Sequence, residues 1–153
     1  MDTSLIIPQG YPYEGRHLEE IISPDLVQNR VSEIGLEISE KYNGKVPIII
    51  GVLNGAFLFM ADLVRKLSIQ FEVDFIKIES YGDNTTTSGT VRLLKDISAD
   101  ITGRDVIIVE DIVDTGLSLN FLKHRMKQAS PKSLRFATCL YKPDASSHNI
   151  SID

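Results

Sequence analysis

The sequence predicts an α/β fold, in which a mostly parallel, twisted sheet is flanked by helices, and three observations support it. Apolar runs at 46–53 and 106–109 are continuous rather than alternating, which is typical of strands buried on both faces of a parallel sheet. Segments with helical spacing of apolar residues separate such runs, so right-handed crossovers between parallel strands are expected. The chain has 153 residues, of which 42% are hydrophobic, and this suits a single domain over residues 1–153 with its own core.

The N-terminal part of the chain predicts an irregular arm followed by a helix. Prolines and glycines interrupt residues 1–22, which is typical of irregular structure. Ser23 can cap a helix, and Pro24 suits the first helical position. Apolar residues then recur at helical spacing on one face, and the helix is expected to end near Asn43-Gly44.

Strands and helices alternate along the rest of the chain. We expect strands at 46–53, 71–78, 91–94, 105–110 and 134–141, with helices at 56–67 and 117–129. Asn54-Gly55 is a turn signal between the first of these strands and its helix. The stretch from Tyr81 to Gly89 has no apolar side chain after the tyrosine, so a loop is predicted there.

Composition and charge exclude several classes of protein. Because 16 Lys and Arg face 21 Asp and Glu, the formal net charge is −5, which argues against a general nucleic-acid binder. No apolar run approaches the length that a bilayer requires, and no signal-peptide pattern is visible, so no membrane association is expected. The single cysteine, Cys139, rules out an intrachain disulfide and suits a reducing compartment. We therefore expect a cytoplasmic protein that acts on a small molecule.

The chemistry is expected where the strand at 105–110 leads into the next helix. Residues 114–118 are Asp-Thr-Gly-Leu-Ser, a small and polar stretch that opens a helix, and a helix N-terminus of this kind favours an anion such as phosphate. Glu110 and Asp111 would repel that phosphate, so they suit sugar hydroxyls or a hydrated Mg²⁺. The simpler interpretation is a helix cap beside two solvated acids. The concentration of acidic and small polar residues at one strand end favours a site, because ligands of open parallel sheets bind there.

The segment from Val109 to Gly116 closely resembles the phosphoribosyl-pyrophosphate motif of type I phosphoribosyltransferases. The segment Gly51–Leu63, the dipeptide Ser80-Tyr81 and the region of Lys142 resemble the hypoxanthine-guanine branch of that family, and the resemblance covers nearly the whole chain. It implies purine salvage, in which hypoxanthine or guanine and phosphoribosyl pyrophosphate give IMP or GMP and pyrophosphate with Mg²⁺ as cofactor.

The resemblance also implies a role for each matching residue. Glu110 and Asp111 would bind the ribose 2′- and 3′-hydroxyls, directly or through Mg²⁺, and Asp114 would be the general acid or base at purine N7. Lys142 would donate to the 6-oxo group of the purine. The other implied contacts are Leu53, Asn54 and Gly55 to pyrophosphate through an unusual cis peptide, Thr115, Gly116, Leu117 and Ser118 to the 5′-phosphate, and Ser80 and Tyr81 on a loop that closes over the reaction centre.

The sequence departs from the family pattern at three places. Asn54 and Leu117 stand where a lysine is usual or frequent in the family, and backbone contacts are expected to compensate. Family members also continue beyond the position of Asp153 with a C-terminal hood segment that completes the purine, Mg²⁺ and pyrophosphate contacts, so we expect this segment to be missing from the sequence.

Three other functions are compatible with parts of this pattern. They are a xanthine-specific phosphoribosyltransferase, a nucleotide-binding regulator with the same fold, and a receiver-type signalling domain. The last should carry its acid pair after the first strand, whereas the pair here is at 110–111. Apolar residues in the arm and in the helix at 56–67 lead us to expect a homodimer or homotetramer.

Overall fold

The computed structural model describes residues 5–81, 90–114 and 116–142, and the predicted α/β architecture is confirmed. In these residues the elements are β1 (Leu5–Ile6), β2 (His17–Leu18), α1 (Pro24–Lys41), β3 (Ile48–Leu53), α2 (Phe57–Val64), β4 (Glu72–Tyr81), β5 (Thr90–Lys95), β6 (Asp105–Val113), α3 (Leu117–Lys127) and β7 (Ser133–Tyr141). The main sheet has the strand order β5-β4-β3-β6-β7. Its pairs are parallel except for β5, which runs antiparallel to β4.

The core lies around the two central strands. Side chains of 48–50 on β3 and of 106–109 on β6 are almost completely buried, which explains why both segments are continuously apolar. On one face, Met60 and Leu63 of α2 complete the core, and Gly51 has no room for a side chain because Met60 and Phe75 lie against it. This close packing holds α2, and the turn before it, directly on β3.

Helix α1 begins where the sequence predicts. The Ser23 hydroxyl accepts a hydrogen bond from the Leu26 backbone N–H at 3.2 Å, and Pro24 is the first helical residue. The helix ends at Lys41, and Gly44 follows in a left-handed conformation with φ of 71°. Among the residues that the structure describes, no helix is both long and apolar enough to cross a membrane.

The carboxylate of Asp74 on β4 anchors the segment that follows edge strand β5. Asp74 accepts hydrogen bonds from the backbone N–H groups of Ser98 at 2.6 Å and Ala99 at 2.8 Å, and Lys95 lies 3.6 Å away. Burial raises the pKa of Asp74, but these backbone donors, that of Phe75 and the Lys95 charge outweigh burial and leave the pKa below its usual value.

The boundaries of several elements differ from the prediction. Strand β6 continues to Val113 instead of ending at residue 110, because its last residues pair with β7. Ser80 and Tyr81 end β4 instead of lying on a loop, because they pair with Val91 and Thr90 of β5. The arm at 1–22, predicted to be irregular, includes the short antiparallel pair β1–β2. The helix predicted at 56–67 spans only 57–64.

Candidate active site

The carboxyl ends of three neighbouring strands meet at one edge of the sheet. Strands β3, β6 and β7 are parallel and in register, with Gly51 opposite Val109 and Val113 opposite Tyr141. The residues that follow these strands, Asn54-Gly55, Asp114 and Lys142, therefore emerge on the same edge. This is the edge at which open parallel sheets bind their ligands.

Glu110 and Asp111 form a close pair of carboxyl groups on β6. Glu110 is only 7% exposed, and its Oε1 accepts a hydrogen bond from the Asp111 backbone N–H at 3.1 Å. Burial, a hydrogen bond that protonated Glu110 donates to the Asp111 carboxylate, and the charge of that carboxylate outweigh the Asp111 backbone N–H and raise the pKa of Glu110 from 4.5 to about 8. Asp111 is half-buried, and its Oδ1 accepts a hydrogen bond from the Ile112 N–H at 2.8 Å. The simple picture of two solvated acids is therefore wrong for Glu110.

Asp114 and Lys142 form an ion pair at the ends of adjacent strands. Lys142 Nζ lies 3.5 Å from Asp114 Oδ1, and the Lys142 backbone N–H donates to the carbonyl of Val113 at 3.0 Å. The side chain of Lys142 is 59% exposed and that of Asp114 is 51% exposed, so both remain accessible to a ligand. The pairing of β6 with β7 brings together two residues that are 28 positions apart (142 − 114).

The turn between β3 and α2 is compact. The peptide bond between Leu53 and Asn54 is cis, as the family resemblance implies. Ala56 N–H donates to the Val52 carbonyl at 3.2 Å, and Phe57 N–H donates to the Asn54 carbonyl at 3.3 Å. Asn54 and Gly55 are exposed at the same edge of the sheet as the acids.

Gly116 is the last residue of the turn between β6 and α3. Gly116 is the N-cap of α3 and has a φ of 79°, and Leu117 and Ser118 form the first residues of the helix. The helix dipole places partial positive charge at this end, which suits an anion. Thr115, to which we assign a phosphate contact, lies outside the described residues.

Strand β4 and Cys139 lie at the margin of the site. The backbones of Ser80 and Tyr81 end β4, which is parallel to β3, so they approach the same edge, while the rest of the predicted closing loop, 82–89, lies outside the described residues. Cys139 on β7 is half-buried, and burial together with the charges of Asp111 and Asp62 raises the pKa of its thiol. The sequence alone did not indicate that Cys139 lies close enough to Asp111 to be affected by its charge.

The acid pair on β6 has the donor chemistry that Mg²⁺ requires. The described residues contain no group of three or more His, Cys, Asp or Glu side chains placed to hold a metal. Mg²⁺ is commonly held by only one or two carboxylates, with substrate oxygens and water as the other ligands. Glu110 and Asp111 fit this pattern, because a cation beside two interacting carboxyl groups would favour the ionised form of both.

Comparisons with known proteins identify the family to which this architecture belongs. The phosphoribosyl transferase domain family matches residues 19–151. A hypoxanthine-guanine phosphoribosyltransferase from Bacillus subtilis is 39% identical over 133 residues, which are 87% of this chain and 74% of that protein. The bifunctional protein TilS/HprT of Listeria innocua is 40% identical over 133 residues, so that 87% of this chain spans 20% of the longer protein.

A solved structure gives the same result in three dimensions. A hypoxanthine-guanine phosphoribosyltransferase from Bacillus anthracis has a TM-score of 0.83 and 42% identity, over 89% of this chain and 80% of that one. The family match covers most of the chain, and the Bacillus subtilis protein is matched over more than two thirds of its length. The chain therefore belongs to the phosphoribosyltransferase family, in its hypoxanthine-guanine branch.

Proposed function

We propose that this protein transfers the phosphoribosyl group of phosphoribosyl pyrophosphate to a 6-oxopurine, hypoxanthine or guanine, and releases pyrophosphate. The bond from the ribose carbon to pyrophosphate breaks, and a bond from that carbon to a purine nitrogen forms. The observation that carries the proposal is the arrangement at one sheet edge of a carboxylate pair, an aspartate–lysine pair and a helix N-terminus. These groups match the hydroxyls, base and phosphate of a nucleotide.

The acid pair is proposed to act on the ribose. Positive charge develops on the ribose as pyrophosphate leaves, so carboxylates beneath the ring stabilise the transition state where its charge changes. Asp111 is half-buried and held by the Ile112 N–H, which orients its carboxylate for this role. When bound, Mg²⁺ would offset the negative charge of the pyrophosphate.

Asp114 and Lys142 are proposed to act on the purine. An aspartate can exchange a proton with purine N7, while an ammonium group has three donors and no acceptor, which suits a 6-oxo group. Their separation of 3.5 Å is similar to the distance between neighbouring polar groups on one base, so one purine could contact both. The base would then replace part of their mutual contact.

The two turns are proposed to bind the phosphates. Gly116, Leu117 and Ser118 at the start of α3 suit the 5′-phosphate, because backbone N–H groups and the helix dipole both favour an anion there. Leu53, Asn54 and Gly55 are proposed to hold pyrophosphate through their backbone. Asn54 has no positive charge to contribute, so this contact depends on the conformation of the turn rather than on a side-chain cation.

Substitution of the acid pair tests whether the binding of phosphoribosyl pyrophosphate depends on Mg²⁺. In the variant Glu110→Gln/Asp111→Asn, we expect affinity for phosphoribosyl pyrophosphate to fall about tenfold, the size of one lost charge-assisted contact, and to depend less on Mg²⁺. Calorimetric titrations with and without magnesium chloride measure both. Unchanged affinity and unchanged metal dependence would show that the pair does not contact this ligand.

The activity itself is tested in the intact protein with phosphoribosyl pyrophosphate, Mg²⁺ and each of hypoxanthine, guanine, xanthine and adenine. Release of pyrophosphate with hypoxanthine or guanine supports the proposal. Turnover with xanthine alone would identify the xanthine-specific alternative, and nucleotide binding without turnover would identify the regulator. We further propose that the protein works in the cytoplasm as a homodimer or homotetramer, which gel filtration with light scattering would test.

A further inference from the structure

Gly55 lies directly against the carboxylate of Asp111, although Gly55 is in the turn between β3 and α2 and Asp111 is on strand β6. Strands β3 and β6 are neighbours with Gly51 opposite Val109, so the turn after β3 lies beside the last residues of β6. A Cβ atom on Gly55 would overlap the Asp111 carboxylate, with Oδ2 as its nearest atom. The space that any other side chain would need at position 55 is therefore occupied.

The Asp111 carboxylate has little freedom to move out of this space. Its Oδ1 is held by the Ile112 N–H at 2.8 Å, and the buried Glu110 carboxyl group is close enough to hydrogen bond with it. Turning the carboxylate away from Gly55 would break or distort both contacts. A methyl group at position 55 would thus disturb the acid pair, even though it carries no charge.

Backbone conformation does not explain the glycine at position 55. The φ of Gly55 is outside the left-handed region that favours glycine, so alanine could adopt the same backbone without strain. The neighbouring carboxylate remains as the physical reason for the missing side chain.

We infer that Gly55 is a positioning residue for Asp111, because its lack of a side chain leaves the space in which the Asp111 carboxylate is held. The turn after β3 and the acid pair on β6 are then mechanically coupled. This inference rests on the proposed function only in assuming that Asp111 contacts phosphoribosyl pyrophosphate.

A double-mutant cycle separates this role from a direct contact between the Gly55 backbone and the ligand. The intact protein and its variants Gly55→Ala, Asp111→Ala and Gly55→Ala/Asp111→Ala are titrated calorimetrically with phosphoribosyl pyrophosphate and magnesium chloride. We expect each single variant to bind about tenfold more weakly and the double variant to bind no more weakly than Asp111→Ala. Independent roles would instead weaken binding about a hundredfold in the double variant, which would overturn the inference.

Urea unfolding of the same four proteins tests the contact without any ligand. Gly55→Ala should lower the unfolding midpoint in the presence of Asp111 and leave it unchanged in the Asp111→Ala background. If Gly55→Ala alone fails to fold, the double variant should fold again, and its failure to do so would contradict the inference. If Asp111→Ala binds normally, the proposed role of Asp111 fails, whereas the unfolding cycle still decides whether Gly55 positions the carboxylate.

Discussion

Two turns lead from a strand to a helix at the same edge of the sheet, and each contains a glycine for a different physical reason. In the turn between β3 and α2, Gly55 has an ordinary backbone conformation but no space for a side chain. In the turn between β6 and α3, Gly116 has a φ of 79°, which glycine adopts without strain. Packing constrains the first turn, and backbone conformation constrains the second.

The two turns also differ in charge. Residues 54–56 between β3 and α2 carry no charged side chain, whereas Glu110, Asp111 and Asp114 lie at or near the end of β6. The first turn therefore offers shape and backbone groups, and the second offers groups that can accept protons or stabilise positive charge. The Asp111 carboxylate near the end of β6 lies against Gly55 of the first turn, so a substitution in either region can disturb the conformation of the other.

The largest expected effect comes from pH acting on Glu110 in the absence of divalent metal. Because burial raises its pKa to about 8 in the folded protein, the folded state keeps a proton that the unfolded chain releases near pH 4.5. The resulting stability is fully present below pH 4.5 and is lost as pH rises through about 8. The free energy of unfolding should fall by at most about 1.4 kcal/mol per pH unit in this window.

Glu110→Gln should remove this part of the pH dependence, because an amide has no proton to lose. The measurement is urea unfolding of both proteins from pH 4.5 to 8.5 in the presence of a chelator. Other titrating groups are common to both proteins and cancel in the difference between the two profiles. Parallel profiles would mean that Glu110 ionises as readily in the folded protein as in the unfolded chain.

The second effect concerns Asp114 on the charged turn. Asp114→Asn should lower the rate of nucleotide formation by about 10²-fold or more, the usual size of a general acid–base contribution. Affinity for phosphoribosyl pyrophosphate should change little, because the proposed phosphate contacts come mostly from backbone N–H groups. Steady-state rates and calorimetric affinities measure the two quantities. Asp100→Asn, the same substitution near the opposite end of β6, serves as the control, and a near-normal rate in Asp114→Asn would exclude its catalytic role.

The contrast between the turns also shows which parts of the structure could be predicted from the sequence. Continuous apolar runs predicted the central strands, and the Ser23-Pro24 signal predicted the start of α1. Both features could be predicted because burial and capping depend on the types of residues close together in the sequence. The extension of β6 to Val113 was not predicted, because acids are poor strand formers and only the pairing with β7 keeps them in the sheet. Pairing between distant segments decided this boundary.

The contacts within the candidate site depend on register in the same way. The sequence indicated that Asp114 and Lys142 each follow a predicted strand, but their separation of 3.5 Å requires these strands to be neighbours with Val113 opposite Tyr141. The contact between Gly55 and Asp111 likewise requires Gly51 to lie opposite Val109. A shift of register in either pair would separate the partners without changing any sequence motif.

A third effect tests Lys142, which pairs with Asp114 of the charged turn. Lys142→Gln should narrow the preference for hypoxanthine over adenine by about tenfold, because an amide offers both a donor and an acceptor where an ammonium offers donors only. The ratio of kcat/KM for the two bases measures this preference in the intact protein. Lys127→Gln, on the exposed last turn of α3, is the matched control. An unchanged ratio in Lys142→Gln would show that another group recognises the 6-position.

The smallest expected effect distinguishes the two glycines directly. Gly116→Ala should lower the free energy of unfolding by about 1 kcal/mol, because an L-residue with a side chain is strained at a φ of 79°. Gly116→Asn should cost less than Gly116→Ala, although asparagine is larger, because asparagine tolerates the left-handed region better than alanine does. Urea unfolding of both variants gives the order of the two costs. If asparagine were the more harmful residue, space rather than conformation would explain Gly116, and the two turns would need glycine for the same reason.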